Sequence, residues 1–417
     1  MSATRQRPPS AAALRVLHAD AARTPDPFIR YSDGRLRPVL ANAIAMLTTA
    51  DEWRGVLAHD EFKMRTVTRK PSPWGTAAGN WTDIDDLRTA EWLQHHGVLV
   101  SPDVASQAAE AVARETTYHP VREYLESLNW DRRPRLDAWP AFYLGVELTC
   151  YTGAVGSRFM ISAVARIFQP GAKADCVPIV EGPQGIGKSR AVRALFGPWV
   201  TDDLPDLTEP KDSALATLGV WCIEMSELDS LTPAESARIK AFVSRATDRF
   251  RPPYARRLIE SPRQCVFVGT TNYSTYLRDE TGARRFWPIT AGKIDLAALD
   301  RDRDQLWAEA LTRYRAGEAW WLDTEELTEE ATEEQRDRYS ADPWQEPIER
   351  YLLGIGDSVA TADILRDGLR LVESQWTRAE AMRVGSCLRL LGWTRFKVRD
   401  GSRVVWRYRR PDAEVTL

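Results

Sequence analysis

Residues 182–189 read Gly-Pro-Gln-Gly-Ile-Gly-Lys-Ser, a spacing suited to holding the phosphates of a nucleotide. Glycine at 182, 185 and 187 lets the backbone curl until successive N–H groups point at phosphate oxygens, with Pro183, Gln184 and Ile186 completing the loop. A helix opening at Lys188 and Ser189 adds its positive N-terminal end. In such a loop Lys188 reaches the outer phosphates as a point charge, and the Ser189 hydroxyl ligates Mg²⁺. ATP and Mg²⁺ are therefore the expected substrate and metal.

Hydrolysis needs acids beside such a loop. The apolar run Val220–Ile223 ends in Glu224, followed by Met225, Ser226 and Glu227. A carboxylate at the C-terminal end of a buried parallel strand faces the crevice where ligands of these sheets bind. Glu224 is assigned to the metal and Glu227 to the attacking water, two roles that are exchangeable at this point. A third run, Cys265–Gly269, delivers Thr270, Thr271 and Asn272, whose amide can sense the γ-phosphate. Arg284 and Arg285 follow, placed to act as a finger on a neighbouring subunit's nucleotide or, alternatively, to pair with surface acids.

The elements that must position these residues follow from periodicity. Val177–Val180 reads as a buried parallel strand and Val155–Arg166 as an amphipathic helix. Strands alternating with helices predict an α/β class with a doubly wound parallel sheet. Residues 1–30, rich in proline, read as a mobile lead-in, and 31–150 as a mostly helical N-terminal region. The core is expected at 151–300, with a helical connector at 301–343 whose acidic stretch reads as a solvated face. Residues 344–417 read as a small winged-helix-like module: helices, then two strands around Asp400-Gly401.

Bulk properties narrow the class. The 417 residues are 43% hydrophobic and 28% charged with a net charge of −3, so any nucleic-acid surface must be local. Five scattered cysteines argue against a disulfide framework or a zinc site. Without an apolar leader or a long apolar run, the reading is a cytoplasmic protein with no membrane segment.

Five blocks occur in one order: Glu181–Ser189, Trp221–Leu228, Arg251-Pro252-Pro253-Tyr254, Gly269–Asn272, and Thr281–Pro288. Together they resemble the virulence-associated protein E family of phages, prophages and mobile islands, strongly over about residues 115–290, and Tyr118–Val121 with Asn129–Asp131 fit it too. That family is similar to superfamily 3 helicases and to the helicase half of poxvirus-type primase-helicases. The resemblance implies an AAA+-related P-loop NTPase core, a ring of identical subunits, and work on the DNA of a replicating mobile element. Some relatives carry an N-terminal primase-polymerase, but residues 1–115 show no acidic triad or zinc ribbon for one.

Between the second and third strands, Lys240, Arg251, Tyr254, Arg256 and Arg257 interleave cations with aromatics, suiting a hairpin or loop that tracks a DNA backbone. The competing reading is a subunit interface or arginines that face the γ-phosphate. The C-terminal module is also basic, with Arg378, Arg383, Arg389, Arg395, Lys397, Arg399, Arg403, Arg407, Arg409 and Arg410 against Glu380 and Asp400. The leading functional reading is an ATP-driven DNA helicase or replication initiator. The alternatives are a regulatory or phage-interference ATPase working through protein partners, and, behind it, a P-loop small-molecule kinase.

Overall fold

Thr149 caps the longest run of buried small and apolar residues in the chain, its hydroxyl accepting from the Thr152 N–H at 3.1 Å. The computed structural model describes residues 26–204, 207, 210–226, 233–252, 257–277, 283–339, 342–400 and 403–410. The expected lead-in up to residue 25, Glu227, Tyr254, Arg256 and the Asp400-Gly401 turn's second residue lie outside them.

Two units form. The first spans the chain up to Leu128 and takes in Leu218–Val220. Its helices are α1 (Leu40–Thr49), α2 (Asp83–His95), α3 (Pro102–Ala113) and α4 (Pro120–Ser127). The region is less helical than its composition suggests, because β1 (Leu57–Asp60), β2 (Arg65–Thr68), β3 (Gly79–Asn80) and β4 (Thr117–Tyr118) make a sheet of order β3-β2-β1-β4. Its core gathers Leu47, Trp53, Leu93, Val98 and Ala105, with Trp74, Trp81 and Trp92 packed around Trp53.

The second unit begins at Asn129 rather than at the expected 151. Glu309, a buried carboxylate, ties residues 135 and 136 to this unit, accepting from the Arg135 N–H at 2.6 Å and the Leu136 N–H at 3.1 Å. Its elements begin with α5 (Trp139–Leu144), α6 (Cys150–Phe168), β5 (Val177–Glu181), α7 (Lys188–Phe196), β6 (Val200–Thr201) and α8 (Pro210–Leu215). They continue with β7 (Cys222–Met225), α9 (Pro233–Val243), β8 (Thr247–Phe250), β9 (Ile259–Pro262), β10 (Val266–Thr271) and β11 (Phe286–Thr290).

Five of these strands make one parallel sheet in the order β11-β5-β10-β7-β6. Val177, Ile179 and Val180 of β5 are buried, as a strand covered on both faces requires. Pro178 is tolerated there because pairing with β10 starts only at Ile179. β7 starts two residues later than the apolar run suggests, so Glu224 lies inside the strand instead of after it.

Helix α10 (Leu296–Arg315), capped by Asp295, packs on α6 and α7. Trp307, wholly buried, stacks on Trp221 with centroids 4.2 Å apart and donates its indole N–H to the Leu195 carbonyl at 2.8 Å. The expected connector is thus part of the core. Helix α11 (Glu325–Asp337) likewise buries Ala331 and Gln335 beneath its acidic face.

Strands β8 and β9 form the hairpin foreseen between the second and third core strands. Its base is pinned by Arg263, whose fully buried guanidinium bonds both oxygens of Asp248 at 2.9 and 2.7 Å and lies over the Phe242 ring.

The C-terminal residues fold as α12 (Gln345–Leu352), β12 (Ser358–Val359), α13 (Thr361–Asp363) running into a π-helical turn at Ile364–Gly368, α14 (Arg378–Leu390), β13 (Thr394–Asp400) and β14 (Arg403–Arg409). Strands β13 and β14 pair antiparallel, and β12, which was not foreseen, adds to the other edge of β14. The module's own core centres on Ile348, Val384, Leu388 and Tyr408. No described helix is long and apolar enough to cross a membrane. All five cysteines are free, and only Cys150 is exposed.

Trp307→Ala should cost about 3–5 kcal/mol in denaturant unfolding followed by fluorescence, because the cavity opens under the sheet where no water can enter favourably.

Candidate functional site at the sheet edge

Because β10 pairs with both β5 and β7, the residues leaving the C-terminal ends of these three strands meet at one edge. From β5 the chain turns through residues 182–187 into α7. Two glycines are required there. Gly187 caps α7 at φ 105°, a left-handed conformation, and Gly182 at φ 148° leaves no room for a side chain. A Cβ on Gly182 would stand 2.8 Å from Ile186 Cδ1 and 3.1 Å from the Ala291 carbonyl oxygen. Pro183, Gln184 and Gly185 are exposed along the turn, as is Ser189 in the first turn of α7, where backbone N–H groups lack intrahelical partners.

Lys188 is buried, and its ammonium donates to Asn272 Oδ1 at 2.9 Å as well as to the Gly182 and Pro183 carbonyls at 2.7 and 2.9 Å. Burial pulls its pKa down, and the nearby Glu224 carboxylate pulls it back up. Two residues separated by 84 positions are thus in direct contact.

Glu224 is almost wholly buried. Its Oε1 accepts from the Thr270 hydroxyl at 2.9 Å, and its Oε2 is buried with no hydrogen-bond partner among the described residues. An orphaned carboxylate oxygen in such a place calls for a cation or a held water. With the exposed Ser189 hydroxyl on α7, the donor set fits one hard divalent ion that keeps most of its waters. No group of three or more His, Cys, Asp or Glu side chains clusters among the described residues.

The arginine pair divides. Arg285 donates from Nε to Ser244 Oγ at 2.7 Å and lies 3.6 Å from Asp175, whereas Arg284 is exposed and makes no ion pair or hydrogen bond with any described residue. Of the cations expected to meet nucleic acid, Arg251 and Arg257 are exposed, one following β8 and the other preceding β9. Lys240 does not belong with them. It is buried on α9, its ammonium 6.0 Å over the Phe286 ring, because that side of the helix faces β11. In the C-terminal module Arg383 is taken up by Asp342 at 2.7 and 2.8 Å and by stacking on Trp344, so it is not a free surface charge.

One residue escaped the sequence reading. Glu181, the last residue of β5, is buried directly before the loop. Its Oε1 accepts from the Tyr276 hydroxyl at 2.7 Å and Arg338 Nε at 2.8 Å, and its Oε2 from the Thr290 hydroxyl at 2.9 Å and Arg338 Nη2 at 3.2 Å. Burial, with this carboxylate beside it, pushes the Tyr276 phenol far above its usual pKa. The only available signal was a glutamate closing an otherwise apolar strand.

A family model described as the virulence-associated protein E-like domain matches residues 125–340. No curated protein matches the chain. Among solved structures, the chain is similar to the apo structure of the NrS-1 C terminal region (305-718), with 12% identity over 91% of this chain and 99% of that one at a TM-score of 0.47. It is similar also to the A form apo structure of the same region, with 11% identity over 89% and 99% of the two chains at a TM-score of 0.46.

Arg338→Met should lower stability by about 3–5 kcal/mol, since it strands the Glu181 carboxylate in the interior. The double variant with Glu181→Gln should recover part of that loss, as read from paired denaturant unfolding curves.

Proposed function

The chain belongs to the virulence-associated protein E-like family, and from that premise we propose that its sheet edge is an ATPase site driving work on DNA, in a ring of identical subunits. The observation that carries the reading is the contact between Lys188 and Asn272 beside the half-satisfied Glu224. It brings together Lys188 at the start of α7, Asn272 just past the end of β10 and Glu224 on β7, the residues this reading needs as phosphate-loop lysine, γ-phosphate-sensing amide and acid. The strand order, with β5 between β11 and β10, agrees with an AAA+-related, superfamily 3 helicase-like core.

In this reading the loop N–H groups and the α7 N-terminus bind the phosphates of ATP. Lys188 exchanges its Gly182 and Pro183 carbonyl partners for phosphate oxygens, remaining charged with the help of Glu224. The Ser189 hydroxyl and the free Glu224 oxygen would hold Mg²⁺, whose charge offsets that of the phosphate oxygens. Asn272 then orients the γ-phosphate and the attacking water, with Glu227 assigned to accept that water's proton. Arg284, the unpaired member of its pair, is the candidate to reach a phosphate on the neighbouring subunit, while Arg285 holds its segment to Asp175 and Ser244. The exposed Arg251 and Arg257 between β8 and β9, with Tyr254 and Arg256, would meet the DNA backbone.

Steady-state ATP turnover with and without single-stranded DNA tests the reading. Turnover should rise with DNA and fall by at least about a hundredfold in Lys188→Ala, whose lost charge meets the transferring phosphoryl group. Turnover that ignores DNA would sink the motor and leave a regulatory ATPase. Mixing Arg284→Ala with Lys188→Ala subunits, each inactive alone, should restore part of the activity. If no mixture does, Arg284 does not act across a subunit boundary.

A further inference from the structure

Away from the sheet edge, α11 and the turn preceding it enclose a cavity of about 490 Å³ against the start of β5 and β11. Its walls are aromatic and small. Trp287 forms the buried floor, Trp320 and Trp321 stand nearly perpendicular at 85° with centroids 5.4 Å apart, and Thr328, Ala331 and Thr332 line one face of α11. The volume is in the range of small-ligand sites, and such sites are mostly apolar with a few placed polar groups.

Two features set its chemistry. The Trp320 indole donates to the Lys173 carbonyl at 2.9 Å, which fixes that ring, while Trp321 is left 52% exposed at the mouth. The rim is positive. Asp175, the acid on it, lies 3.6 Å from Arg285, whereas Lys173 and Arg284 have no ion-pair partner among the described residues. A fixed aromatic corner with cations at its lip matches a flat heteroaromatic ring borne on an anionic group. An aliphatic chain would leave the cations unused, and a metal ion would find one carboxylate already neutralised.

We propose that this cavity is a nucleobase-binding site, taking a base against Trp320 and Trp321 with its phosphate on Lys173. The base comes either from a single-stranded DNA chain crossing this face or from a free nucleotide, and both present the same ring and phosphate. The site stands on the cavity and not on the chemistry of the 182–189 loop. The base-holding corner does not need Arg284, which stays available to other phosphates. Stacking on an aromatic accepts any base, so the site is expected to bind without marked sequence preference.

The test uses the full chain carrying Lys188→Ala, so that the loop's contribution is removed, and 5-iodouracil as a photoreactive base. One arm presents it in a short single-stranded oligodeoxynucleotide and the other as free 5-iodo-dUMP. Crosslinks should map by mass spectrometry to the segment holding Trp320 and Trp321. Thr328 is exposed at the cavity wall, so Thr328→Trp fills the space without disturbing the core, and Trp321→Ala removes one wall. Each should cut crosslinking there about tenfold while the unfolding midpoint stays put. Crosslinking by the oligonucleotide alone assigns the source to a strand, and crosslinking by both probes or by the mononucleotide assigns it to nucleotides in general. No crosslink at Trp320 or Trp321 with either probe, or crosslinking unchanged by Thr328→Trp, overturns the proposal. ATP turnover in the Lys188-intact chain reports separately on the sheet-edge site.

Discussion

A carboxylate is costly to bury unless its oxygens are met by donors and its charge by a cation. Glu181 is buried at the one point where strand becomes loop, and what meets it comes from three directions: Thr290 at the end of β11, Tyr276 beyond β10, and Arg338 at the end of α11. The requirement is therefore structural before it is chemical. Until those three segments converge, the glutamate is unsatisfied, and once they do, the starting direction of residues 182–187 is set. The backbone completes the closure, with the Ala291 N–H donating to the Glu181 carbonyl at 2.8 Å. The placement of Lys188 against Asn272 follows from this, because the loop that carries the lysine leaves from a clamped residue.

The part of the fold that could be read directly was the part whose signals are local. A short apolar run, positive-φ glycines and a following helix placed β5, the 182–187 turn and α7. Apolar runs also marked β7 and β10, although β7 begins at Cys222, with the Trp221 backbone bonded to Trp199 and Val266 just ahead of it. What stayed hidden depends on partners far along the chain. Glu181 and Arg338 are 157 positions apart, and neither has a neighbour in sequence that reveals the pair. Lys240 looked like a surface cation because its immediate neighbours are mixed, while its burial comes from β11. Arg284 and Arg285 are adjacent and identical in type, and only Asp175 and Ser244 distinguish them.

The acidic helix shows the same limit from the other side. Six glutamates between 325 and 334 made a solvated face the natural reading for residues 323–337, and that face exists. Yet Ala331 and Gln335, spaced one turn apart, are buried, and the Gln335 amide donates to the Phe286 carbonyl at 2.9 Å. A strongly charged helix can therefore serve as a wall, provided a narrow stripe of small or amide residues touches the sheet. In the C-terminal module the Thr377 cap marks the start of α14, whereas β12, a two-residue strand, left no mark in the sequence. The module's charge was less legible, since Arg383 and Arg407 are engaged by Asp342 and Ser358.

The distribution of thiols has a practical consequence. Burial pushes the Cys176 thiol up to about 12 and that of Cys387 up to about 11, and it raises Cys222 and Cys265 as well. Since the thiolate is the reactive form, these four are shielded both by access and by protonation. Cys150, exposed in the first turn of α6, is left as the one natural attachment point for a maleimide dye. A fluorophore placed there reports from the helix that runs behind the sheet, and no cysteine has to be engineered in or out of the chain.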